Sequence, residues 1–266
     1  FELGSKADAF HCMIAGQTRT GKSTFLNSII TQISQLYTPD EIRLHLLDFK
    51  EGVEFKLYKN HPNVQTVLLD NSNLEFAVEI LEEFEQEIKR RRELFDEGLT
   101  ISNIDKYNKV AEKKIPHHII IIDEAQELFT RGHELKSKIN KLLTRITKQG
   151  GAFGIHLILC TQTFADCGIS DGAIKQMKLR ISFRLADGSD CRAILGREND
   201  APLFLKRFQI VYNSENGLTN KNIIANTNNF DENRIEDILR QQQVAYKNFI
   251  NFEKRIIDSV ISKEEK

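Results

Sequence analysis

An α/β fold, with a central and largely parallel sheet between layers of helices, is what this sequence predicts. Three observations carry the prediction. Short apolar runs alternate with helical patterns from Ala9 to Thr161. Several of those runs are apolar throughout instead of at every second residue, as strands covered on both faces are. The first run also feeds directly into a glycine-bearing loop and then a helical pattern, the order of a strand–loop–helix unit. Strands joined by crossover helices in this way pair in parallel through right-handed connections.

Each element follows from its own pattern. Ala9–Ala15 reads as a short buried strand. Ser23–Leu36 reads as a helix, with Phe25, Leu26, Ile29, Ile30, Ile33 and Leu36 on one face. Pro39 follows it, and Ile42–Phe49 (IRLHLLDF) and Val64–Leu69 (VQTVLL) are the next two strands. Leu74–Glu97 repeats Leu74, Ala77, Val78, Leu81, Phe84 and Ile88 at helical spacing. His118–Asp123 (HIIIID) and Ile155–Thr161 (IHLILCT) are central strands, separated by a helix over Leu135–Gln149 that Gly150 and Gly151 are expected to stop. After residue 178 the strands Leu179–Leu185, Phe208–Tyr212 and Asn222–Asn226 follow without long helices between them. From Glu232 apolar residues recur every three or four positions from Ile235 to Val260 with no Gly or Pro, which predicts one long amphipathic helix. It packs on its own domain, leads to another, or contacts a second subunit. The expected organisation is therefore one α/β domain over 1–230 and a C-terminal helix over 231–266.

Composition narrows the class. The chain has 266 residues, 40% hydrophobic and 28% charged, with a formal net charge of -1. No global basic field draws it to nucleic acid, so any such contact is local. Its four cysteines, Cys12, Cys160, Cys167 and Cys191, show no C-x-x-C pairing and read as buried thiols in a reducing, cytoplasmic compartment. No apolar run approaches the about 18 residues of a membrane span. The chain begins with Phe1, not Met, so a piece of a longer protein is expected, and membrane attachment of that protein is left open.

The chemistry concentrates at strand ends. Gly16-x-x-x-x-Gly21-Lys22-Ser23 satisfies the phosphate-loop pattern in its required context. Its backbone N–H groups converge on phosphates, aided by the positive end of the following helix. Gly16, Gln17, Thr18, Arg19, Thr20, Gly21, Lys22, Ser23 and Thr24 are expected to bind ATP. Lys22 reaches the β/γ-phosphates and the Ser23 hydroxyl binds Mg²⁺. Asp123 and Glu124 end an apolar strand, where Asp123 suits Mg²⁺ and Glu124 suits polarisation of the attacking water. Gln162, ending the next strand, contacts the γ-phosphate or orients water, or else only caps. A glutamate beside the Mg²⁺ aspartate, with a polar residue ending a separate strand, describes the RecA-like class of P-loop ATPases. Arg19 is compatible with the cradle if its φ is negative; a position requiring φ > 0 disfavours it. Arg19 is expected to contact the nucleotide's edge or the adjacent protomer, so that Arg19→Gly changes cooperativity more than affinity.

An ordered series of motifs goes further: HCMIAGQTRTGKST, HLLDFKEGVEFKLYKNHPNV, EIKRRRELF, ISNIDKYNK, HIIIIDEAQELF, GGAFGIHLILCTQ and LRISFRLADGSDCRAILG. Over roughly residues 1–215 this series resembles the motor domain of the FtsK/SpoIIIE DNA translocases. The resemblance implies a hexameric ring that hydrolyses ATP between subunits and pulls a polymer through its pore. It also implies an arginine supplied in trans, for which Arg180, Arg184 and Arg192 are candidates, with Arg184 and Arg192 favoured. Double-stranded DNA is the expected polymer. A protein-secretion motor of the type VII kind, or an ATP-binding assembly module with little turnover, are the alternatives. Departures bear on this choice. Arg19-Thr20 stands where the family usually has Gly-Ser, and Thr163–Asp166 lacks the common Arg-Pro. The implied pore loops correspond to Leu99–Lys109 and Phe164–Gly172, and the second carries Asp166 and Asp171 but no Lys or Arg for phosphate. Lys89–Arg92 reads as a solvated cationic face or a nucleic-acid or subunit contact, and His117 and His118 read as structural.

Overall fold

The apolar runs become strands that carry the loops of interest at one edge of a sheet. The computed structural model describes residues 1–50, 54–69, 74–96, 101–228, 231–249 and 252–258. In chain order the elements are β1 (Cys12–Ala15), α1 (Lys22–Leu36), β2 (Ile42–Asp48), β3 (Val64–Leu68), α2 (Leu74–Asp96), α3 (Ile104–Val110) and β4 (His117–Asp123). There follow α4 (His133–Gln149), β5 (Ile155–Thr161), α5 (Asp171–Ile174), β6 (Leu179–Ser182) and α6 (Gly188–Leu195). The chain continues with β7 (Gln209–Asn213), β8 (Ile223–Asn226), α7 (Glu232–Ala245) and β9 (Arg255–Ile257).

Among the described residues these strands form one nine-stranded sheet in the order β8-β7-β6-β1-β5-β4-β2-β3-β9. From β6 to β9 every pairing is parallel, while β7 and β8 run antiparallel. The continuous apolar runs are explained by this arrangement, since each central strand is buried on both sides. One face packs against α2, α4 and α6, and the other against α1 and α7. β5 lies between the loop-bearing β1 and the acid-tipped β4, so the ends of three adjacent strands meet at one edge.

The opposite edge carries a row of histidines. His45 Nε2 lies 2.8 Å from His118 Nδ1, and its Nδ1 lies 3.0 Å from Thr66 Oγ1. His156 sits 3.0 Å from His117 Nδ1 and 2.9 Å from the Phe10 carbonyl. His11 Nδ1 accepts from the Leu157 N–H. Burial pushes His11 and His45 down to about 3 and His156 to about 4. His117 and His118 are thus structural, as the sequence suggests.

Two sequence expectations need correction. The C-terminal apolar pattern is not one long helix: α7 ends at Ala245, and Arg255–Ile257 add a parallel strand beside β3. The edge of β3 offers unpaired backbone groups, which β9 fills while Arg255 pairs with Glu79 and Glu83. Val260 lies outside the described residues, as do Glu97, Leu99 and their neighbours. α4 ends at Gln149 before Gly150 and Gly151, as expected; Gly150, with φ -57, leads into a tight turn over Gly150–Phe153, and the left-handed residue is Gly154. The run Lys89–Arg92 is not uniformly solvated. Arg91 is buried, with Nε donating to Glu87 (2.7 Å) and Nη1 to the Phe153 carbonyl (2.6 Å), so it ties α2 to the end of α4.

Candidate nucleotide site

The loop after β1 is held from both sides. Gly16 N–H donates to the Thr161 carbonyl at the end of β5 (3.2 Å), and Gln17 N–H donates to the Arg184 carbonyl beyond β6 (3.2 Å). A Cβ on Gly16 would lie 2.7 Å from Phe183 Cβ, so only glycine lets the loop lie this close to β6. Thr20 Oγ1 closes the turn on the Gln17 carbonyl (2.7 Å). Gly21 takes φ 115 at the start of α1, a backbone that a side chain disfavours. The loop thereby presents its N–H groups and the α1 N-terminus to a single cleft.

Lys22, at the first turn of α1, crosses the cleft floor. Its ammonium contacts Asp123 directly and lies 3.5 Å from Glu124 Oε1. All three side chains are buried. Burial alone pushes the Lys22 ammonium down, but the facing carboxylates outweigh it and hold the amine above its ordinary range. Glu124 is the mirror case. Burial pushes its carboxyl up, yet Lys22 and the amides of Gln126 (2.8 Å) and Gln162 (3.3 Å) hold it below the usual carboxylate range. Glu124 also adopts φ 52, and such backbone in a non-glycine residue collects at functional sites. Gln162 is tied in turn to Thr18 Oγ1, which donates to its Oε1 at 3.4 Å.

Asp123 Oδ2 is buried and has no hydrogen-bond partner. A buried carboxylate oxygen left bare is costly, and a cation is the partner that its chemistry suits. Ser23 Oγ donates to Glu54 Oε1 at 2.8 Å. Asp48 ends β2 beside Asp123 in register and accepts from the Lys50 and Glu54 N–H groups (2.8 Å each). Burial pushes Asp48 up to about 6 against those bonds. The donor set of hydroxyl and carboxylates fits Mg²⁺, which takes oxygen ligands.

Sequence-predicted residues therefore converge. Gly16, Gln17, Thr18, Arg19, Gly21, Lys22, Ser23, Thr24, Glu124 and Gln162 line one cleft, and Asp123 lies beneath Lys22. Arg19 differs from expectation, because its φ is 64, the region that disfavours a side chain. The cleft walls also include Lys50, Arg207 and Phe208, which the motif reading did not select. The Asp48-Phe49-Lys50 stretch gave a signal for Lys50, since a second strand ends there in an acid. Nothing local in the sequence marks Phe208.

The sequence model of the FtsK/SpoIIIE family matches residues 2–135, half of the chain, including the loop and the Asp123-Glu124 pair. This chain belongs to the FtsK/SpoIIIE family. Among curated relatives, the DNA translocase FtsK of Borreliella burgdorferi is 33% identical over 213 residues, covering 77% of this chain and 26% of the relative. That of Helicobacter pylori is 31% identical over 255 residues, covering 92% of this chain and 29% of the relative. The chain thus spans about a quarter of the length of these relatives. Among solved structures, EssC (ATPases 2 and 3) from Geobacillus thermodenitrificans superposes with a TM-score of 0.74 at 17% identity, covering 94% of this chain and 46% of that one. The pCW3 conjugation coupling protein TcpA, solved with ATPγS, gives 0.72 at 22% identity, covering 89% and 66%. These likenesses establish the shared P-loop ATPase fold.

Within this FtsK/SpoIIIE domain the candidate arginines separate. Arg180 is buried, and its guanidinium donates to the Ile194 (2.9 Å) and Met177 (3.4 Å) carbonyls, so it braces β6 and is not free to reach a neighbour. Arg184 and Arg192 are exposed and do not line the domain's own cleft. No described helix is long and apolar enough to cross a membrane.

Proposed function

We propose that this FtsK/SpoIIIE domain is an ATP-hydrolysing motor that moves double-stranded DNA through a ring of its own copies. The observation that carries the reading is the cluster at three adjacent strand tips, where Lys22, Asp123, Glu124 and Gln162 share one cleft and Asp123 Oδ2 has no partner. ATP would lay its phosphates along the loop amides other than those of Gly16, Gln17 and Thr20, which bond to carbonyls, and Lys22 would exchange Asp123 for the β/γ-phosphates. Ser23 and Asp123 would hold Mg²⁺, whose chemistry is to neutralise charge on the phosphate oxygens. Glu124 is deprotonated and positioned to accept a proton from water, with Gln162 orienting it. Arg184 or Arg192 of a neighbouring copy would stabilise charge in the transition state.

The DNA assignment rests on the relatives, which are DNA translocases, and the 164–172 segment lacks the cations that phosphate contacts need. That segment favours a second reading, a protein-moving ATPase. ATP turnover measured with duplex DNA separates the two. Stimulation by duplex DNA is the expected result. Indifference to DNA together with stimulation by a peptide would overturn the DNA reading and leave the ATPase assignment standing.

A further inference from the structure

The phosphate machinery leaves one wall of the cleft without a role. Arg207 and Phe208 form that wall, at the entry to β7. Phe208 has an aromatic side chain on a backbone of φ 65, which is uncommon for a bulky residue. It is held there from three sides. Its N–H donates to the Thr20 carbonyl (2.9 Å), and its carbonyl accepts from the Thr227 N–H (2.8 Å) and hydroxyl (3.1 Å). Its ring lies so close to Gly21 that a Cβ there would meet Phe208 Cδ1 at 2.7 Å. The Arg207 guanidinium stands 4.6 Å from the ring centroid.

Sheet order gives this wall a direction. Glu124 and Gln162 end β4 and β5, on one side of the loop-bearing β1, whereas Phe208 leads into β7 on the other side, beyond β6. A triphosphate whose reacting end points to Glu124 and Gln162 leaves its sugar and base toward the β6–β7 side. An aromatic ring fixed at the cleft wall, with the Arg207 guanidinium lying over one of its faces, forms a stacked pair whose outer face offers what a heterocyclic base stacks on.

We propose that Phe208 and Arg207 form the base-stacking platform of the nucleotide site. The inference rests on the nucleotide-site reading above and adds the residues that hold the base.

The test compares two ligands that share phosphates and differ in the base. Binding of ATPγS and of inorganic tripolyphosphate, both with Mg²⁺, is measured by calorimetry on the wild-type chain and on Phe208→Leu, Phe208→Tyr and Arg207→Ala. Phe208→Leu is expected to weaken ATPγS by roughly 5- to 100-fold, the range of one lost stacking contact. Tripolyphosphate affinity should stay within about 2-fold, and Phe208→Tyr should retain wild-type affinity for both. Equal weakening of both ligands would show that the ring only props the loop at Gly21, and no weakening of either would show that it touches no base. Each result overturns this inference alone. If Phe208→Leu does not fold, Arg207→Ala decides. Loss confined to ATPγS supports the platform, and an unchanged profile overturns it. Failure of the wild-type chain to bind either ligand overturns the platform and the nucleotide-site reading together.

Discussion

The strand β4 begins with His117-His118 and ends with Asp123-Glu124, and its two ends show two ways of burying polar groups. At the first end, His45 and His156 have both ring nitrogens engaged, and burial keeps the imidazoles neutral. His11 Nε2 is the exception in that row. At the second end, charges are paired but incomplete. Asp123 keeps a bare oxygen, and Arg19, Glu124 and Phe208 all adopt left-handed backbone around the same cleft. Groups that are buried and mutually satisfied stabilise the fold; groups that are buried, strained and short of a partner are arranged for a ligand.

The largest effect expected from breaking this contrast is at the incomplete end. Lys22→Ala removes the cation that faces both carboxylates, and ATP turnover should fall by about 10²–10³-fold, as when one preorganised transition-state donor is lost. Phosphate-release assays would check it, and a variant retaining half of wild-type turnover would contradict the site.

Acid should act on the other end. The folded values of His11, His45, His61 and His156 lie at about 3 to 4, below the ordinary histidine value of 6.5, and His118 is lowered as well. A lowered folded value means that stability is present above 6.5 and is lost as pH falls, because the unfolded chain takes up protons first. Each such histidine contributes a loss of up to about 1.4 kcal/mol per pH unit below that point. Asp48, raised to about 6, works in the opposite sense and offsets one histidine in part. Thermal melts between pH 7.5 and 5 should therefore show a falling Tm. A flat profile would mean that the histidine row is not neutral and buried.

Arg19→Gly is the smallest expected effect. With φ 64, Arg19 holds backbone that glycine adopts freely, so the substitution should stabilise the chain by about 1 kcal/mol. Chemical denaturation would measure it, and destabilisation would show that the Arg19 side chain makes a contact worth more than the strain.

How much of this was legible in the sequence depends on the range of the interaction. The Gly16–Thr24 loop, the acid tip of β4 and the placement of Gln162 follow from local pattern, because phosphate and Mg²⁺ chemistry demand those residue types at strand ends. The apolar runs revealed the sheet for the same reason. What escaped was set by partners distant in the chain. Arg91 is buried because Phe153 offers a carbonyl across α2 and α4. Ser23 meets Glu54, whose N–H is held by Asp48. Apolar spacing after Ala245 fits a helix as well as a turn leading to a strand, and the open edge of β3 selects the strand. Phe208 reaches the cleft only because β6 and β7 extend the sheet beyond β1.

In the proposed reaction Glu124 activates water while the loop, Lys22 and Asp123 hold the nucleotide. Single-turnover hydrolysis and ATPγS binding, measured together on Glu124→Gln, test it most directly. Loss of general-base catalysis should slow hydrolysis by about 10²–10⁴-fold while ATPγS affinity stays near wild type. A Glu124→Gln variant that hydrolyses ATP at the wild-type rate would contradict the account.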